Sequence, residues 1–230
     1  MNETLYQEMG CCALHAMPAK RPVLIVFDLD GTLTDSAWLG RELFKRVFEL
    51  LGYGIISDEL ADSFNGPSAD EVCRIMGIGE DRKQLYNDLI DEVEPELVRA
   101  GGKVFPGTLD MLSTLAQHAA LAILTNGSQV YCRTCIETYG FEPYIALESG
   151  FVSGVTKAER IAAWERETGV QRVIVVGDRA TDISNGQAVG AYTVGVTFGM
   201  GTREELASAD AICDTTAQVT CACMDVIRSL

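Results

Sequence analysis

Short apolar runs closed by turn residues recur along the chain, at residues 23–27, 121–124, 173–176 and 192–196. Runs of this length without alternation are what strands covered on both faces show, so they predict a parallel sheet sandwiched between helices. The segments between them carry a helical period with readable ends. Ser128 starts a helix that stops at Gly140, and Thr156 with Glu159 forms a capping box for another that stops at Gly169. This alternation predicts an α/β fold with a Rossmann-like parallel-sheet core and helices on both faces.

One stretch interrupts the alternation. From about residue 37 to residue 104 no strand-like run appears: Leu39, Leu43, Val47 and Leu50 or Leu51 follow the helical period, Ser68 and Glu71 read as a capping box, and residues 81–99 continue helical, with Pro95 a possible start of a new turn. Phe105-Pro106-Gly107 marks the return to the core. The expected division is therefore an α/β core of residues 22–36 and 104–230, a helical cap domain of residues 37–103 inserted after the first strand, and residues 1–21 as an N-terminal extension outside the fold.

At 230 residues the chain has room for one core and a small accessory domain, not three lobes. No apolar run approaches the roughly 18 residues of a membrane span, and the first residues fit neither a secretory signal nor a transit peptide, so a soluble, cytoplasmic protein without a membrane partner is expected. The eight cysteines are then free thiols in a reducing compartment. Cys11-Cys12 and Cys221-x-Cys223 lack zinc-knuckle spacing, and His15 and His118 sit in no catalytic context. The net charge of −15 would repel a phosphate backbone, which argues against nucleic acid as a partner.

The polar clusters fall at the ends of the apolar runs: Asp28-Leu29-Asp30-Gly31-Thr32, Thr125-Asn126-Gly127 and Gly177-Asp178. In an open parallel sheet the ligand crevice lies outside the carboxyl edge, so these distant segments should converge. Asp28 and Asp30 are two apart, and extended geometry would place both carboxylates on one side; Asp178 and Asp182 bring two more acids to the same edge. A hard dication resolves such crowding, and Mg2+ prefers oxygen ligands, water and phosphate. Lys157 sits just inside the helix capped by Thr156, a placement that becomes favourable if lysine and helix start both face an anion. Thr125 and Asn126 add donors for phosphate oxygens. Singly each cluster reads as an ordinary turn or a solvated face; together, in this order, they read as one site. An EF-hand reading of Asp28-x-Asp30 fails because Leu33 stands where that loop turns on glycine, and Gly195, Gly199 and Gly201 lack dinucleotide-fingerprint spacing.

The ordered set Asp28 to Ser36, Thr125-Asn126, Lys157, and Gly177-Asp178 followed by Asp182 resembles the four motifs of the haloacid-dehalogenase-like hydrolase superfamily, over nearly the whole chain after Arg21. The helical insertion is similar to the cap of its phosphoglycolate-phosphatase-like branch, and Phe64-Asn65-Gly66-Pro67 resembles the cap loop of that branch, which would make Asn65, Gly66 and Pro67 substrate-specificity residues. The resemblance implies Asp28 as nucleophile, with Asp30 protonating the leaving alcohol and then activating water. It implies Mg2+ held by Asp28, the main-chain carbonyl of Asp30 and Asp178, Asp182 orienting water or Lys157, and Thr125, Asn126 and Lys157 binding phosphate. The implied activity is phosphatase action on a small phosphorylated metabolite through an aspartyl phosphate.

Two positions depart from the commonest pattern: Gly127 follows Asn126, and Arg179 follows Asp178, where it could recruit an acidic part of the substrate or, the preferred reading, pair with a surface carboxylate. A dehalogenase uses the same nucleophile, but a leaving halide takes no proton and would not need Asp30. A phosphomutase shares the acid pair. A silent binding module would carry unneutralised carboxylates at a cost in stability.

Overall fold

A computed structural model describes residues 11–13 and 21–230 of the chain, the former as backbone only. Its main sheet has the order β1-β6-β5-β2-β7-β8-β9. Here β1 is Cys11–Ala13, β2 Val23–Phe27, β5 Ala120–Leu124, β6 Ile145–Ser149, β7 Arg172–Gly177, β8 Tyr192–Val196 and β9 Ala211–Cys213. The six strands from β6 to β9 run parallel, with β2 central between β5 and β7.

Every residue of β2 is buried, and its side chains alternate between two separate cores. Val23, Ile25 and Phe27 join one cluster, built with α5 (Thr108–Leu115), α6 (Gln129–Tyr139) and α9 (Thr216–Arg228). Leu24 and Val26 join the other, where Ile161 and Trp164 of α7 (Lys157–Thr168) pack. Continuous apolar sequence and two-sided burial are thus one fact. The expected α/β core is present, and its two helix starts hold: Ser128 accepts from the Tyr131 amide, and Thr156 and Glu159 form the capping box. Both helices end on left-handed glycines, Gly140 and Gly169.

Three strands of the main sheet escaped the sequence pattern. The segment read as an extension outside the fold contributes β1, an edge strand antiparallel to β6 with Cys11 opposite Ser149; residues 1–10 and 14–20 of that segment lie outside the described residues. Strand β6 carries Glu148 and Ser149, polar yet fully buried, which masks its apolar character. Strand β9 is only three residues long.

The insertion is helical, as expected: α1 (Ala37–Leu50), α2 (Asp58–Asp62), α3 (Ala69–Met76) and α4 (Glu80–Gly101). It encloses its own apolar cluster, in which Phe44, Phe48 and Phe64 pack ring to ring. Pro95 lies inside α4 instead of opening a new turn. The cap joins the core through a two-stranded antiparallel ribbon, β3 (Thr34–Asp35) against β4 (Lys103–Val104), in which Thr34 pairs with Val104 and Asp35 with Lys103. No described helix is long and apolar enough to cross a membrane.

Candidate active site

Strand β2 delivers Asp28 to the carboxyl edge of the sheet, and its amide still pairs with the Val176 carbonyl of β7 at 2.9 Å. Asp178 follows β7 directly, and Asp182 lies one turn into α8 (Ala180–Ala188). Carboxylate oxygens of Asp28, Asp178 and Asp182 lie within 4.8 Å of one another. Two backbone features admit this crowding. Gly31 has φ +76°, which an L side chain rarely adopts, and a β-carbon there would clash with the Asp178 carboxylate; one at Gly177 would clash with Asp182.

Lys157, from the first turn of α7, reaches into this acidic group. Its Nζ donates to Asp28 Oδ1 at 2.6 Å and to Asp182 Oδ1 at 2.8 Å, with the side chain only 9% exposed. Burial works to lower the pKa of this ammonium, but Asp182 and Asp28 outweigh it and hold it above its ordinary value. Burial pushes Asp28 well up, Lys157 opposes that, and Asp182, Asp178 and Asp30 add to it. Asp178 is raised to about 6 by burial, although the Met200 amide, 2.7 Å from its Oδ2, pulls the other way. One ammonium against several carboxylates leaves a surplus of negative charge. The donors are all hard oxygens, with no histidine or thiol among them, which suits Mg2+ better than zinc or copper.

Asp30 does not join the acidic group, contrary to what two-residue spacing predicts. The chain leaves the extended conformation after Phe27 and folds back, with the Gly31 amide bonded to the Thr34 carbonyl at 2.9 Å. The Asp30 carboxylate turns instead to Tyr131, whose hydroxyl donates to Oδ1 at 2.5 Å, and to Thr125, whose hydroxyl donates to Oδ2 at 3.2 Å. Burial and the Asp30 charge raise the Tyr131 phenol far above its usual range, so it remains a proton donor. Nothing at the level of pattern singled out Tyr131; its place one turn into α6, beside the Thr125 cluster, was the available signal.

The remaining expected residues meet around the same cavity of about 410 Å3, lined by both core and cap. Asn126 lines it but gives its Nδ2 to the Gly66 carbonyl of the cap loop at 3.0 Å, tying cap to core. Asn65, Gly66 and Pro67 all line the cavity. Arg179 pairs through Nε with Glu205 at 3.2 Å, the preferred reading of the two, while also lining the cavity. The glycines excluded as a dinucleotide motif serve the acid cluster: β-carbons at Gly199 or Gly201 would strike Asp178. The cysteines form no second site among the described residues: Cys223 is buried in the core, Cys221 is exposed, and six are free thiols.

Comparison with known proteins places this site in context. The family model described as haloacid dehalogenase-like hydrolase matches residues 25–196. The chain is 28% identical over 193 residues to the tyrosine-protein kinase PtkA of Mycobacterium tuberculosis, covering 80% of this chain but only 65% of that relative's length. It is 28% identical over 208 residues to the phosphoglycolate phosphatase of Neisseria meningitidis, covering 81% of this chain and 85% of the relative. A crystal structure described as a predicted phosphatase from Clostridium acetobutylicum superposes with a TM-score of 0.77 at 22% identity, covering 90% of this chain and all of the other, a likeness of fold.

Proposed function

Because the chain belongs to the haloacid dehalogenase-like hydrolases, we propose that it is a phosphatase that transfers the phosphoryl group of a small monoester to Asp28 and then to water. The observation that carries this is the division of labour between two aspartates in one cavity. Asp28 sits in the acidic group against Lys157, while the Asp30 carboxylate is turned away from it and held by Tyr131 and Thr125.

In the first displacement an Asp28 oxygen bonds to phosphorus as the phosphorus–alkoxide bond breaks, and the leaving oxygen takes a proton from Asp30. In the second, water attacks the phosphoaspartate, its proton passes to Asp30, and the bond from phosphorus to Asp28 breaks to release inorganic phosphate. Lys157 holds Asp28 in place and faces the negative charge that both steps concentrate. Mg2+ would be held by Asp28, the main-chain carbonyl of Asp30 and Asp178, with Asp182 beside them, and would supply the charge neutralisation phosphoryl transfer requires. With substrate bound, Thr125 would shift its hydroxyl hydrogen bond from Asp30 to a phosphate oxygen, leaving Tyr131 to orient Asp30, and Asn126 would turn from Gly66 toward the phosphate. The kinase activity in the PtkA name is not carried over, since the chain spans only 65% of that protein.

Hydrolysis of para-nitrophenyl phosphate, measured with Mg2+, with chelator, and in Asp28→Asn and Asp30→Asn variants, tests the proposal. Activity that needs Mg2+ and disappears with Asp28→Asn supports it. Turnover surviving either treatment, or halide release from a haloacid in place of phosphate release, would overturn it.

A further inference from the structure

The cap side of the cavity contains a carboxyl group that the phosphoryl-transfer chemistry does not use. Glu94, on α4, lines the cavity, is only 6% exposed, and makes no hydrogen bond or ion pair among the described residues; its Oε2 is completely buried without a partner. A buried polar atom left unsatisfied costs roughly 1–3 kcal/mol, so native structures keep few of them, and a carboxyl without a protein partner in the wall of a ligand cavity is a place where a ligand supplies one once the side chain turns its oxygens inward. The preceding turn adds to this polar patch. Pro95 has no amide to give the Asp91 carbonyl, and the Asp91 side chain lines the same cavity, as do Gln84 and Asn87.

The cavity's charge decides what kind of partner fits. Among the described residues the basic ones lining it are Lys157, held by Asp28 and Asp182, and Arg179, which gives its Nε to Glu205. A leaving group bearing a carboxylate or a second phosphate would meet Glu94 and Asp91, while among the described lining residues Lys157 is held by two aspartates and Arg179 is shared with Glu205. Burial, reinforced by Asp30 and Asp91, drives the Glu94 carboxyl well above the usual carboxylate range. A neutral carboxyl both donates and accepts, the pairing an uncharged hydroxyl offers in return.

We propose that Glu94 reads the leaving alcohol, and that the substrates are phosphate monoesters of uncharged polyhydroxylated alcohols, such as a hexose carrying one phosphate, not esters with a second anionic group. This rests on the phosphatase reading above and narrows it. The apolar side chains beside Glu94, among them Phe44, Phe64 and Ile90, offer a surface for the carbon skeleton of such an alcohol. Glu94 touches the part of the substrate that departs, so its effect is on which ester is chosen.

The test compares kcat/KM for a hexose monophosphate, phosphoglycolate, phosphoethanolamine and para-nitrophenyl phosphate, using the full chain with Mg2+, as wild type, Glu94→Gln and Glu94→Leu. The wild type is expected to favour the hexose ester over phosphoglycolate by about tenfold or more. In Glu94→Leu the ratio of hexose ester to nitrophenyl ester should fall about tenfold, and in Glu94→Gln, whose amide also donates and accepts, it should stay within about threefold of wild type. Preference of the wild type for phosphoglycolate or for the amino alcohol ester would overturn the assignment, as would a ratio unmoved by Glu94→Leu. If Glu94→Leu fails to fold, the wild-type panel and the Gln variant still decide. Absence of Mg2+-dependent nitrophenyl phosphate hydrolysis by the wild type would instead remove the phosphatase reading, and this inference with it.

Discussion

The phenol of Tyr131 donates to Asp30 at 2.5 Å across 101 residues of sequence, and so fixes the orientation of the acid assigned to the leaving group. Thr125 holds the other oxygen at 3.2 Å, so loss of either donor frees one side of the carboxylate.

Tyr131→Phe keeps the ring in the core and removes only the donor. Its kcat should fall about tenfold on an alkyl phosphate, whose alkoxide needs a proton, and less on para-nitrophenyl phosphate, whose phenolate leaves without one. Steady-state kinetics on both esters check this. Equal losses would show that the tyrosine serves stability and does not position Asp30.

Lys157 is the only ammonium in contact with the acidic group among the described residues. Lys157→Met should lower kcat/KM by about 10²–10³. It also leaves Asp28, Asp178 and Asp182 facing one another, so in chelator the variant should lose roughly 3 kcal/mol of stability, and added Mg2+ should restore more of it than it adds to the wild type. Urea unfolding with and without Mg2+ measures both.

Gly31 tests the metal site through the backbone. A β-carbon there strikes the Asp178 carboxylate, and φ +76° disfavours any L residue. Gly31→Ala should weaken Mg2+ binding about tenfold or more, read by titration calorimetry. Unchanged affinity would argue against Asp178 as a ligand.

Glu148 predicts a pH dependence of stability away from the active site. It is buried in β6, where burial raises its pKa to about 7 from an ordinary 4.5, against the opposing pull of Arg133 at 2.6 Å and Gln129 at 3.0 Å. The folded protein therefore keeps a proton that the unfolded chain has already lost. Stability from this group is complete below about pH 4.5 and falls as pH rises toward 7, by up to roughly 3 kcal/mol. Glu148→Gln should flatten that fall, checked by chemical unfolding at about pH 5 and pH 8.

Much of the fold was legible because the signals are local. An apolar run ending in Asp28, or a helix opened by Thr156 and closed at Gly169, depends on residues a few positions apart, and the backbone obeys them wherever the segment sits. Strand β6 was not legible, because Glu148 and Ser149 are buried on the strength of partners from other elements, Arg133 and Gln129 for one and Arg160 for the other.

By itself, the order of residues determined that acids, hydroxyls and one lysine would collect at the carboxyl edge of a parallel sheet beneath a helical insertion. Only the tertiary structure decided what each side chain does there. It turned Asp30 away from Asp28 toward Tyr131, bound Asn126 to the Gly66 carbonyl, engaged Arg179 with Glu205, and left Glu94 without a partner in the wall of the cavity. The physical reason is range: strand periods and caps are written in neighbouring residues, whereas the aim of a polar side chain depends on which donors and acceptors folding brings within about 3 Å of it.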